Sequence, residues 1–72
     1  MATQVVAPMV CQVKKVHVEV GAQVQENDTL VTIEAMKVEM PIPAPVAGTV
    51  VAIHCAEGDT VEAETVLIDL DE

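Results

Sequence analysis

Lys37 stands within the run Glu34-Ala35-Met36-Lys37-Val38-Glu39-Met40, and its primary amine is the group in this chain whose setting best suggests covalent chemistry. An amine attacks activated acyl groups, but only in its neutral form, which is a minor species for lysine in water at neutral pH. The activated acyl donor and the removal of the proton must therefore come from a modifying enzyme. Such an enzyme needs a lysine it can reach and flanks it can read. Met36 meets the second need, because a flexible, polarizable methionine suits contact with a partner even where it adds nothing to a core. The alternative is an ordinary surface lysine in a turn. Lys14 and Lys15 lack comparable flanks.

The elements that must hold Lys37 come as a duplicated pair. Ala7 falls on Ala44, Pro8 on Pro45, Val13 on Val50, His17 on His54, Gly21 on Gly58, Val24 on Val61 and Leu30 on Leu67, each pair 37 positions apart. Residues 1–72 read as one domain, with repeat halves at about 7–34 and 44–71 and a unique joint at 35–38. The symmetric halves supply a scaffold, and the joint presents the lysine.

Val16, Val18 and Val20 alternate with Lys15, His17 and Glu19, the period of a half-buried strand, and Ile53 and Cys55 repeat this around His54. Leu30 to Ile33 and Val66 to Leu70 are short, apolar and rich in branched side chains, as buried strands tend to be. Turn signals separate these runs at Gly21, Asn27-Asp28, Pro41, Pro43, Pro45, Gly48 and Gly58-Asp59, leaving no stretch of helical length. The chain reads as all-β, a sandwich or barrel, and the duplication implies two related sheets exchanging strands about a pseudo-twofold axis. A hairpin around Lys37 puts that residue at its tip, with Met40 and Ile42 returning to the core.

Aromatic residues make up 0% of the chain and hydrophobic residues 51%, so the core must be aliphatic, and stacking platforms for single-stranded nucleic acid are absent. A formal charge of −9 repels phosphate backbones and anionic membrane surfaces and leaves proteins as the expected partners. No apolar run approaches the ~18 residues of a membrane span, and no basic segment precedes an apolar one at the N-terminus. The expected address is cytoplasmic, where Cys11 and Cys55 remain buried thiols. His17 and His54 are repeat equivalents, and polar-face positions on paired strands account for them without a metal. No nucleophile–base pair, phosphate loop or carboxylate dyad is evident, and the acids between Glu57 and Glu72 read as a solvated face.

From Val5 to Leu70 the chain resembles the biotinyl domains of biotin-dependent carboxylases and decarboxylases, in the biotin/lipoyl attachment superfamily. The resemblance rests on Glu34-Ala35-Met36-Lys37-Val38, which is similar to the family's Glu-Ala-Met-Lys-Met signature, and on Ala44-Pro45-Val46-Ala47-Gly48-Thr49-Val50 downstream. It implies a flattened barrel of two four-stranded antiparallel sheets, with biotin amide-linked to Lys37 and Glu34, Ala35, Met36, Val38, Glu39 and Met40 as flanking recognition residues for biotin protein ligase. It also implies a non-catalytic carboxyl carrier, serving biotin carboxylase and a carboxyltransferase or decarboxylase. Three positions depart from the pattern. Val38 stands where the family usually has Met, Asn27 replaces a frequent turn glycine, and Cys11 replaces a glycine that Gly48 retains. If position 11 needs φ > 0, Cys11 is strained by about 1–3 kcal/mol. The gapless repeat leaves no room for the protruding thumb of some acetyl-CoA carboxylase carriers. Lipoyl domains share the fold but usually carry Asp before the lysine and often Ala after it. An unmodified barrel used as an interaction module is the third reading.

Overall fold

Eight strands account for nearly all regular structure in the computed structural model, which describes residues 2–72. They are β1 (Ala2–Val6), β2 (Cys11–Val16), β3 (Gln23–Val24), β4 (Thr29–Ala35), β5 (Val38–Pro43), β6 (Gly48–Ile53), β7 (Thr60–Val61) and β8 (Val66–Asp71). Two four-stranded antiparallel sheets result, ordered β1-β8-β6-β3 and β5-β4-β2-β7. Of the all-β sandwich or flattened barrel expected, the flattened sandwich forms, its two sheets not closed into a barrel.

Shifting β2, β3 and β4 by 37 residues lands on β6, β7 and β8, and the same shift takes β1 onto β5. Each sheet thus mixes strands of both halves. The halves also share their irregularities. β2 bulges between Val13 and Lys15 and β6 between Val50 and Ala52. Gly21 and Gly58 turn with φ of 96° and 93°, a region that only glycine enters without steric penalty. The Gly21 amide donates to the Val50 carbonyl at 2.7 Å and the Gly58 amide to the Val13 carbonyl at 2.8 Å, so each glycine ties a crossover to the bulge of the other half.

The central strands β4 and β8 supply most of the core, with Leu30, Val31, Ile33, Leu67, Ile68 and Leu70 fully buried alongside Val13 and Val50. Burying each such side chain contributes about 1.5–3 kcal/mol, and among the described residues no polar side chain is buried with them.

The alternating run does not extend to Val20. β2 ends at Val16 and β6 at Ile53, because the chain must leave its sheet to reach β3 or β7 in the other. The backbone exits gradually, with the His17 amide still bonded to the Leu30 carbonyl and the His54 amide to that of Leu67. Val18 and Cys55 pack against the core from these crossovers, while Val20 is exposed.

Pro41 and Pro43 are not turn residues. They lie inside β5, at the edge of its sheet, where a missing N–H can face outward without breaking the ladder to β4.

Cys11 is not strained: neither it nor Gly48 has positive φ. Cys11 is a packed strand residue, 5% exposed, and burial pushes its thiol pKa up. Glycine is needed at 48 for closeness instead, since a Cβ there would meet the Asp71 carbonyl oxygen at 2.6 Å. Asn27 does occupy the left-handed region, at φ 75°, and its repeat equivalent Glu64 does so at 68°.

Candidate functional site: the β4–β5 hairpin

Ala35 pairs with Val38, so the loop between β4 and β5 consists of Met36 and Lys37 alone. Their φ values are 54° and 66°. Positive φ at both central residues is what a type I′ hairpin turn requires, and Asn-Gly is its usual sequence because other side chains crowd the backbone there. Left-handed φ/ψ costs a non-glycine residue about 1–2 kcal/mol. Met-Lys at these positions is therefore a poor choice for stability, held in place by the ladder behind it.

That ladder is well anchored on one face. Ala35, Ile33 and Ile42 are buried and Met40 packs against the core. The tip is open: Met36 is 93% exposed, Lys37 is exposed, and Val38 is 57% exposed although it is paired with the buried Ala35. Among the described residues no carboxylate pairs with Lys37. Glu34 and Glu39 stand directly opposite each other one rung below Ala35 and Val38. Glu34 is engaged by Lys14, its Oε1 2.8 Å from the lysine Nζ. The structure places Glu34, Ala35, Met36, Val38 and Glu39 beside Lys37 in the hairpin, with the Ala35 side chain buried, while Met40 is half-buried and packs against the core.

The nearest apolar groove, between β1 and β5, is lined by residues such as Val6, Met9, Met40 and Pro41 and does not include Lys37. The tip is a presented side chain outside that groove. An exposed amine without a competing carboxylate, on a two-residue turn that closes the β4–β5 ladder, fits covalent attachment of a cofactor through an amide.

His17 and His54 are occupied by cross-strand bonds, His17 Nε2 with Thr32 Oγ1 at 2.7 Å and His54 Nε2 with Asp69 Oδ2 at 2.9 Å. The Cys55 thiol is pushed up in pKa chiefly by burial and then by Asp59, so neither cysteine has the exposed thiolate character of a reactive site. The lysine that sequence reasoning passed over is Lys14. Its signal was present, because the repeat aligns it with Val51, but only the structure shows which acid it reaches.

The family model described as "Biotin-requiring enzyme" matches residues 3–70. The chain belongs to this biotin/lipoyl attachment family. It is 50% identical over 64 residues to a biotin carboxyl carrier protein of Streptococcus mutans, covering 89% of this chain and 49% of that protein. To the biotinylated protein TB7.3 homolog of Mycobacterium leprae it is 41% identical over 63 residues, 88% of this chain and 89% of the relative. A dihydrolipoyllysine-residue acetyltransferase component of the pyruvate dehydrogenase complex from Acholeplasma laidlawii is 35% identical over 54 residues, 75% of this chain and 10% of that one. Among solved structures, the urea carboxylase of Kluyveromyces lactis superposes with a TM-score of 0.92 and 31% identity over 99% of this chain, which matches only 6% of that enzyme. The chain spans about half the length of its streptococcal relative.

Proposed function

We propose that this chain is a biotin carboxyl carrier, with biotin joined by an amide to Lys37 Nζ. The observation that carries the reading is the Met36-Lys37 turn. An unfavourable residue pair is held at both left-handed positions of a tight hairpin, with Met36 almost wholly exposed. Met36 before the lysine and Val38 after it favour biotin over lipoate, whose carriers usually have Asp and Ala there.

When bound, biotin would accept a carboxyl group at one active site and give it up at another. The chain's own contribution is mechanical and electrostatic. The β4–β5 ladder holds the attachment point at its closing turn, and Lys37 supplies a long side chain that carries the group away from the backbone. Tethering makes each encounter intramolecular, which raises the effective concentration of the group to be transferred. Among the described residues no group is placed to catalyse the transfer. The partners in this reading are biotin protein ligase, biotin carboxylase and a carboxyltransferase or decarboxylase, in the cytoplasm. The carriers and the carboxylase among the relatives support the carrier assignment.

Intact mass after incubation with biotin protein ligase, biotin and ATP tests the reading. One biotinyl group per chain is expected, mapped to Lys37 by peptide sequencing and absent from Lys37→Arg. The formal charge should fall from 3 − 12 = −9 to 2 − 12 = −10. Label retained at the wild-type level in Lys37→Arg would refute the assignment, and labelling by a lipoate ligase instead would transfer the same tip to the lipoyl branch.

A further inference from the structure

Glu34 and Glu39 are direct cross-strand partners at the second rung from the tip, and like charges placed opposite one another push a hairpin apart. One cation stands against them. Lys14 lies in the bulge of β2, the extra residue between Val13 and Lys15 with no partner of its own on β4. Bulges re-aim side chains, and this one brings the Lys14 Nζ to 2.8 Å from Glu34 Oε1. The three side chains belong to β2, β4 and β5, which are neighbours in one sheet. The Lys14 ammonium is held in its charged form first by its hydrogen bond and charge interaction with Glu34, with a smaller contribution from Glu39.

The second half provides an internal control. The same bulge occurs in β6, where Val51 takes the place of Lys14 and is 47% exposed. The rung corresponding to Glu34 and Glu39 pairs Asp71 with Ala2, which carries no opposing acid. The scaffold therefore needs the bulge but not a lysine in it. Lysine and the facing acids occur together only in the half that ends at Lys37.

We infer that Lys14 is a positioning residue for the attachment hairpin: by neutralising Glu34 it holds the Glu34–Glu39 rung closed and keeps Met36 and Lys37 in the geometry the ligase reads. This inference rests on the biotin reading for its kinetic arm but not for its structural one. Exposed ion pairs are worth little to global stability, so the effect belongs to the tip and not to the fold.

The test uses the full chain with Lys14→Gln, Lys14→Arg, Glu34→Gln and the double variant Lys14→Gln/Glu34→Gln. Amide hydrogen exchange on the unmodified chain should quicken about threefold to tenfold at Ala35 and Val38, the pair that closes the turn, in Lys14→Gln, with β8 unchanged, the scale of a lost exposed ion pair and an unshielded repulsion. Lys14→Arg should restore it. In ligase assays the KM for Lys14→Gln should rise by a similar factor, with kcat within about twofold of wild type. In the Glu34→Gln background the substitution of Lys14 should have no further effect, because the repulsion it relieves is gone. Unchanged or uniformly faster exchange in Lys14→Gln would overturn the inference. So would a fall in KM, or a KM effect that persists without Glu34, which would make Lys14 a direct contact of the ligase. Failure of the wild type to take biotin would instead sink the proposed function and leave the exchange measurement to decide this point.

Discussion

Two copies of one strand plan make up this molecule, and they end differently. In the first, β4 runs on through Met36 and Lys37 into β5; in the second, the equivalent strand β8 pairs with β1, where the two ends of the chain meet. Between these extremes the halves agree wherever the scaffold dictates: the crossover glycines, the bulges, the central apolar strands and the histidine bonds to the neighbouring strand. They disagree at the tip, in the bulge residue Lys14 or Val51, and at Cys11 against Gly48. Agreement therefore marks what the fold requires. Disagreement marks either the site or a local difference in how closely two strands approach, and each can be separated by mutation.

The largest effect tests the agreement itself. Leu30 and Leu67 are fully buried equivalents on the two central strands, so Leu30→Ala and Leu67→Ala should each destabilise by about 2–5 kcal/mol, with urea midpoints close to one another. Midpoints differing by much more than their error would show that the halves do not share the core equally.

Next is the pair that breaks the symmetry inside the scaffold. A Cβ at position 48 meets backbone that cannot swing away, so Gly48→Ala should destabilise by about 1–3 kcal/mol. Cys11→Gly should also destabilise, by about 1–2 kcal/mol, through a small cavity and the entropy of an unrestrained glycine. Both changes make the halves more alike at the position altered, yet both should lower the urea midpoint. A gain for Cys11→Gly would reinstate strain at that site.

At the tip the comparison predicts a separation of stability from recognition. Met36 buries almost nothing, so Met36→Ala should change stability by no more than about 0.5 kcal/mol while slowing biotinylation. A large loss of stability with an unchanged labelling rate would mean that Met36 belongs to the scaffold.

Much of this was legible in the sequence because period and repeat are written in residue types. The buried strands around Leu30 and Leu67 announced themselves by length and composition, and the joint carrying Lys37 by its place between two matching halves. What escaped had a geometric cause. Pro41 and Pro43 read as turn residues because nothing local distinguishes an edge strand from a loop; only the order β5-β4-β2-β7 shows that their missing N–H groups are tolerated. Cys11 invited an argument about φ because glycine has two uses, and the sequence does not say whether a glycine is needed for its torsion or for its lack of a Cβ. The Lys14–Glu34 pair depends on a bulge, an irregularity without a residue signature.

The smallest difference between the halves concerns the turns before β4 and β8. Asn27 and Glu64 occupy the same left-handed position in the two halves, at φ 75° and 68°, and both are exposed. Asparagine visits this region more readily than glutamate because its short amide can bond locally. Replacing Glu64 with glycine should relieve more strain than the glycine loses in unfolded-chain entropy, for a net gain of up to about 1 kcal/mol. The same change at Asn27 should gain only a few tenths, since less strain is there to remove. The difference is measurable as a higher urea midpoint for Glu64→Gly than for Asn27→Gly. Equal midpoints would show that the left-handed turn holds glutamate as easily as asparagine, and that these two residues, unlike Cys11 and Gly48, are interchangeable parts of one scaffold.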